Sequence, residues 1–267
     1  MLTLYHADTA VCAAKVRVTL VEKNLHWDSR MLDLGRGDQF TAEYLTLNKN
    51  GVVPTLVHDG IVITESTVIN EYLDERFPEI PLRPLDAAGR ARMRLWTKRE
   101  DSIHDAINTM TVVLLFRPDL LQKTAEEQAK RYQAIPDPTR RQKWRDLLEH
   151  GLGSSHVRDA LLRLGRLFSD MEQALKDCPW LLGEERSLAD LGLVSFFYRL
   201  ELMQMAATWR EPFPRVSAWL ERCKARPSFE AGIARYIAQS RIEHSGALCA
   251  ASEAAVNHRF REALTNI

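Results

Sequence analysis

Apolar positions along the first eighty residues change period several times, and each change marks an element. Leu2 to Tyr5 is a short strand-like run, and Cys12 to Lys23 carries Val16, Val18, Leu20 and Val21 at helical spacing. Leu25 to Leu34 alternates loosely, with Leu25, Trp27 and Met31 set against His26, Asp28 and Arg30, which predicts a second strand. A strand, a helix and a strand of these lengths predict a right-handed crossover with a parallel strand pair. Gln39 to Leu47 reads as a short helix. Two apolar runs, residues 52–57 and 61–64, flank Asp59-Gly60, and because the hairpin turns that match strand twist need positive φ there, the pattern predicts a hairpin. A helix follows from Glu65 to about Phe77.

Pro78, Pro81 and Pro84 then interrupt the pattern, as a linker does. The expected division is an α/β domain over residues 1–78, a linker over 79–87 and an all-helical domain over 88–267. Within the last, Ala88 to Phe116 can hold one long helix, residues 117–155 look irregular, and His156 to Leu175 resumes helical periodicity. Ser187-Leu188-Ala189-Asp190 reads as a capping box opening another helix. Trp219 to Ala225 continues the helical pattern until Arg226-Pro227. The final forty residues, Ser228 to Ile267, either cover the active site or pack on the surface.

With 267 residues, 45% of them hydrophobic, the chain can bury a full core and divide into two domains. Thirty-six basic and 36 acidic side chains cancel, so no broad charge footprint for nucleic acid or an anionic membrane is present. No apolar run reaches the roughly 18 residues of a membrane span and no signal-peptide pattern opens the chain, which sets a cytoplasmic expectation. Cys12, Cys178, Cys223 and Cys249 form no CxxC pair and show no metal-ligand spacing with the eight histidines. Reduced thiols and no metal are expected.

Two local features carry chemistry. Pro54 sits inside a predicted strand although it lacks the N–H a ladder needs. A cis Val53-Pro54 bond would explain it and would turn the Val53 backbone outward as an edge for an extended peptide. Glu65-Ser66 opens a helix, where free N–H groups, a hydroxyl and the positive end of the helix dipole suit a carboxylate. A small peptide with a free carboxylate is the ligand these features describe.

Gly51-Val52-Val53-Pro54-Thr55-Leu56 followed by Glu65-Ser66 resembles the glutathione site of the cytosolic glutathione transferases. The resemblance implies that Val53, ahead of Pro54, pairs with the cysteinyl backbone of glutathione and that Glu65 and Ser66 hold its γ-glutamyl carboxylate. It further implies that Val52 flanks this segment, that Gln39 faces the glycyl end, and that Asp101 reaches the γ-glutamyl ammonium across a dimer of like or unlike subunits. The implied fold is an α/β N-terminal thioredoxin-like domain plus an all-α C-terminal domain, the glutathione transferase fold. Longer stretches resemble the bacterial glutathione-dependent β-etherases that cleave β-aryl ethers of lignin: Thr64 to Ile69 with Glu71-Tyr72-Leu73, Leu82-Arg83-Pro84, Met93 to Lys98, Ile135-Pro136 and Lys143-Trp144-Arg145. They imply attack of the glutathione thiolate on an aromatic ether; the implied two-domain architecture, rather than any motif, sets the expectation that this substrate lies between the domains near His104, Ile107, Asn108 and Thr111.

A free thiol titrates near 8.5, so the enzyme needs a donor near the start of the first helix, where the dipole also favours the thiolate. The serine position of the serine-type enzymes falls on Ala13, a departure from their pattern. Cys12 is the leading candidate, either as a weak donor or as a partner in a mixed disulfide; otherwise it is a small buried residue. Thr9 offers a hydroxyl, and Tyr5 is a weaker candidate in the strand. A general transferase, a thiol oxidoreductase using Cys12 and a non-catalytic aromatic-binding relative remain alternatives to the β-etherase reading.

Overall fold

The predicted opening is present as β1 (Leu2–His6), α1 (Val11–Glu22), β2 (Asp28–Met31), α2 (Ala42–Leu47), β3 (Thr55–His58), β4 (Ile61–Thr64) and α3 (Ser66–Arg76). The four strands form one sheet in the order β2-β1-β3-β4, with β1 parallel to β2 and antiparallel to β3. Asp59 and Gly60 both take positive φ, 48° and 84°, the primed turn that an Asp-Gly pair favours. Leu2 and Leu4 of β1, Val16 and Leu20 of α1, Leu56 of β3, and Ile69 and Leu73 of α3 close the core of this layer. The structure, a computed structural model, describes residues 1–133, 135 and 137–265; Pro136 of the Ile135-Pro136 pair, and Asn266 and Ile267 at the end of the expected helical domain, lie outside them.

Helices follow: α4 (Ala87–Thr97), α5 (Glu100–Thr111), a π-helical turn (Val112–Phe116), α6 (Arg117–Leu121), α7 (Ala125–Gln133), α8 (Pro138–His150), α9 (Ser155–Ala174), α10 (Leu188–Leu202), α11 (Pro214–Lys224), α12 (Pro227–Gly232), α13 (Gln239–Ala250) and α14 (Glu253–Leu264). Two units emerge: Met1–Glu100 with Asp177–Phe197 and Trp219–Ala238, and Asp101–Lys176 with Tyr198–Ala218 and the chain from Gln239 on.

Several expectations change. The second strand is four residues rather than ten, and the helix expected over residues 39–47 is a 3-10 turn at Asp38–Phe40 followed by α2, which Thr41 caps. The single helix over residues 88–116 is broken at Lys98 and Arg99 into α4 and α5, and it ends in the π turn. Apolar spacing runs straight through that break, so periodicity alone hides it. The region 117–155 is mostly helical. α6 and α7 are short and α7 buries nothing, which leaves it no apolar stripe to read, whereas α8 buries Trp144, Leu147 and Leu148. Local caps open both α7 and α8: Thr124 and Glu127 bond reciprocally, amide to side chain, at the head of α7, and Asp137 accepts from the Thr139 and Arg140 amides ahead of Pro138 in α8.

The Ser187–Asp190 capping box does more than cap. Asp190 accepts from the Ser187 and Leu181 amides and from the Trp219 indole N–H, at 2.9, 3.1 and 2.9 Å, so one buried carboxylate ties α10 to α11 and to the preceding loop. Glu22 at the end of α1 plays a similar part. It accepts from Arg226 Nε at 2.6 Å, Arg186 Nη2 at 2.6 Å and Ser228 Oγ at 2.5 Å. Burial alone would raise the Glu22 carboxyl, but Arg226, Ser228 and Arg186 outweigh it and hold the group below its ordinary value. A depressed folded pKa stabilises above the unfolded value, about 4.3, and that stability is lost as pH falls through the folded value. Glu22→Gln is therefore expected to lower stability by about 1–2 kcal/mol at pH 7 and by little near pH 2, measured by urea midpoints across that range.

In the second unit α14 packs along α9: Phe260 lies 5.7 Å from Phe168, which also meets Trp209 and Phe213 at 5.9 and 5.8 Å. Val256, Phe260 and Ala263 are buried. Within the C-terminal extension, residues 228–238 thus belong to the first unit, and α14 contributes to the core of the second rather than lying on its surface.

Candidate functional site

The Val53-Pro54 bond is cis, as the sequence predicts. The turn leading into it is tightly built. Gly51 takes φ 59°, and a Cβ there would stand 2.8 Å from the Phe40 ring, so only glycine fits. The Val52 carbonyl accepts from Tyr44 Oη at 2.6 Å and from Asn48 Nδ2 at 3.0 Å. Pro54 is buried and Val53 half-buried. Among the described residues, no main-chain or side-chain group takes up the Val53 amide or carbonyl, which leaves both for an extended ligand.

Glu65 carries a backbone signal that no sequence pattern gives: φ 65°, ψ 111°, a region that a side chain with a Cβ rarely enters. It turns the chain from β4 into α3 and leaves the Glu65 side chain exposed, with Ser66 buried as the first helical residue. Below this turn, Lys15 of α1 donates to the Thr67 hydroxyl at 2.9 Å and pairs with Glu100 of α5. Both partners of that ion pair are 2% exposed.

The loop between β1 and α1 is fixed from behind by Arg17. Its guanidinium donates to the carbonyls of Ala7 at 2.9 Å, Asp8 at 3.1 Å and Gly232 at 2.8 Å, and lies 3.9 Å over the Tyr236 ring. Burial lowers the Arg17 pKa to about 10, still far above neutrality. Burial and the neighbouring Arg17 charge lower His6 to about 4, so His6 is neutral at pH 7. Arg17 Nη1 donates to His6 Nδ1 at 3.2 Å, which leaves the ring proton on Nε2, 2.6 Å from Ser29 Oγ. Cys12 and Thr9 are both half-buried at the start of α1, whereas Ala13 is fully buried. Ala10, the N-cap, has no side-chain acceptor to spend on the first turn, so the positive end of α1 is electrostatically open to an anion.

The other sequence-derived residues divide between the units. Gln39 lies in the first, buried, with Nε2 3.5 Å from the Leu34 carbonyl. Tyr5 is half-buried in β1 with its ring 5.8 Å from that of Tyr44. Asp101, His104, Ile107, Asn108 and Thr111 lie on α5 in the second unit. Asp101 is exposed, His104 and Asn108 half-buried, Ile107 and Thr111 buried, and Thr111 Oγ1 meets Met203 Sδ at 3.7 Å. Sequence reasoning missed Lys15, Arg17, Tyr44, Asn48 and Thr55. For Lys15 and Arg17 the visible signal was two cations set among apolar Ala13, Ala14, Val16 and Val18.

Residues 11–76 match the family model for the glutathione S-transferase N-terminal domain, and residues 153–227 match that for the C-terminal domain. Protein LigF of Sphingobium sp. (strain NBRC 103272 / SYK-6) is 30% identical over 239 residues, which is 86% of this chain and 91% of LigF. The chain belongs to the glutathione S-transferase family. This glutathione transferase superposes on the crystal structure of beta-etherase LigF from Sphingobium sp. strain SYK-6 with a TM-score of 0.76 at 29% identity, covering 86% of this chain and 98% of that one. Glutathione transferase F7 of Populus trichocarpa gives 0.68 at 26% identity, over 87% of this chain and 97% of that one. Tetrachloro-P-hydroquinone reductive dehalogenase of Sphingobium chlorophenolicum is 28% identical over 85% of this chain and 94% of its own length. The thioredoxin-like sheet and the helical C-terminal region are thus those of the family, whose cosubstrate is glutathione.

Proposed function

We propose that this glutathione transferase cleaves β-aryl ethers of lignin-derived aromatics. The observation that carries the reading is the similarity to LigF in sequence and fold over 86% of the chain. Glutathione docks its cysteinyl main chain on Val53 beside Val52 and Pro54, and its γ-glutamyl carboxylate on Glu65 and Ser66 at the head of α3. Gln39 borders the glycyl end, and Asp101 acts across a dimer. The sulfur then lies at the positive end of α1, where the helix dipole, Cys12 and Thr9 favour its thiolate. The thiolate attacks the carbon that bears the aryl ether: a C–S bond forms, the C–O bond breaks with its electron pair on oxygen, and the phenolate takes a proton from water. The products are a phenol and a glutathione conjugate, and no external oxidant or reductant is needed. His104, Ile107, Asn108 and Thr111 of α5 are the proposed aromatic-binding residues, and the enzyme works in the cytoplasm as a dimer.

The half-buried Cys12 and the reductive dehalogenase among the relatives favour a second reading, an oxidoreductase in which the Cys12 thiolate attacks the sulfur of a glutathione–aryl conjugate: the S–S bond of a mixed disulfide forms, the C–S bond breaks with its electron pair taking a proton on carbon, and a second glutathione thiolate frees Cys12 as oxidised glutathione leaves. Turnover of a model β-aryl ether, with phenol and conjugate followed by chromatography and mass, separates the two. Equal amounts of phenol and conjugate, dependent on glutathione and lowered no more than about tenfold in Cys12→Ala, are expected for ether cleavage. Loss of all turnover in Cys12→Ala with a glutathione adduct trapped on the wild-type thiol would instead establish the disulfide route, and no phenol from a folded, glutathione-binding enzyme would sink the β-etherase reading.

A further inference from the structure

Tyr44, Asn48 and Thr55 form a closed polar network directly behind Val52. All three are at most 3% exposed. Tyr44 Oη lies 2.6 Å from the Val52 carbonyl and 2.8 Å from Thr55 Oγ1; Asn48 Nδ2 lies 3.0 Å from the same carbonyl and 3.1 Å from Thr55 Oγ1. Proton accounting assigns each role. A phenol has one proton, which goes to the carbonyl; Thr55 therefore donates to Tyr44 Oη and accepts from the second Asn48 proton. Asn48 Oδ1 is used as well, by the Asn50 amide at 3.1 Å. Such a fully satisfied buried network is rigid.

The consequence concerns the next atom along the chain. The Val52 C=O and the Val53 N–H belong to one planar trans peptide and point in opposite directions. Two donors that fix the carbonyl therefore fix the direction of the Val53 N–H. We infer that Tyr44 and Asn48 are positioning residues that aim the Val53 N–H at the cysteinyl carbonyl of glutathione, with Thr55 locking both. This rests on the glutathione reading above. Neither side chain touches the ligand; they act through the peptide plane, so their removal loosens docking without altering the sulfur chemistry.

Calorimetric titration of the full chain with reduced glutathione tests this in wild type, Tyr44→Phe and Asn48→Ala. Each variant is expected to raise Kd about five- to tenfold and the glutathione KM with it, with kcat at saturating glutathione unchanged. The decisive probe is a glutathione whose cysteinylglycine amide is replaced by an alkene isostere, which lacks the carbonyl that Val53 would meet. Wild type and Tyr44→Phe are expected to bind that isostere equally. A wild type that binds no glutathione overturns the glutathione reading itself. A wild type that binds it, alongside folded variants with unchanged Kd or with the same loss for both ligands, overturns the positioning role alone. Should Tyr44→Phe lose its native circular dichroism, Asn48→Ala, acting on the same carbonyl, carries the same comparison.

Discussion

Glu100→Ala is expected to lower the unfolding free energy by about 3–5 kcal/mol. Lys15 and Glu100 are a buried ion pair, and removing the acid strands an ammonium in a site closed to water. Thr67, the neighbour of Lys15 at 2.9 Å, is neutral and cannot replace the charge. The space for the carboxylate comes from Gly192 of α10, where a Cβ would run into the Glu100 carboxylate. Gly192→Ala is therefore expected to destabilise through the same pair. Replacing both ions together, as in Lys15→Met with Glu100→Leu, removes the desolvation cost along with the attraction and is expected to fall much closer to wild type. Urea unfolding with unchanged slope reads these differences. A Glu100→Ala unfolding free energy within about 1 kcal/mol of wild type, or a double variant as unstable as the single, would disprove the assignment.

Acid sensitivity between pH 6.5 and 4 is expected to come largely from His6. Its pKa falls to about 4 in the folded chain because of burial first and Arg17 second. A histidine depressed on folding stabilises above its unfolded pKa, about 6.5, and that contribution is lost as pH falls toward the folded value. The shift corresponds to a loss on the order of 3 kcal/mol across this window. His6→Asn keeps an acceptor for Arg17 and does not titrate. Its stability is expected to run nearly flat from pH 6.5 to 4, where the wild type declines; parallel curves would reject His6 as the source.

The sequence made the hairpin and the cis-proline edge beside it legible because both depend on neighbours in the chain. Asp59-Gly60, Pro54 and Glu65-Ser66 are local signals, and the cis bond, the primed turn and the head of α3 follow them. Lys15 and Arg17 were not legible, since their partners Glu100 and Gly232 lie 85 and 215 residues away and nothing local marks a buried cation as satisfied. The helix α1 itself was legible from Val16, Val18, Leu20 and Val21, but its residues 13–20 are buried on every side, so no amphipathic stripe marks which face meets a partner. The capping boxes divide differently. Ser187–Asp190 was readable, whereas the equally local Thr124–Glu127 pair was passed over because α7 has no apolar face to draw attention to it. Tyr44 and Asn48 carry ordinary helix-end chemistry in sequence, and their shared target, the Val52 carbonyl, becomes visible only when the turn is built.

Phe168 is enclosed by Trp209, Phe213 and Phe260, and one of these three walls comes from the last helix. Deleting the chain after Ala238 would uncover an aromatic face within the second unit, and a face of that kind drives self-association during expression. A shortened enzyme would then be lost to inclusion bodies before its kinetics could be read, so the yield of soluble protein, rather than catalytic rate, is what selection for a smaller variant would first have to restore. Compensation would come from polar or smaller residues at Phe168 and Trp209, which makes the extension and these two positions a single unit of evolutionary change.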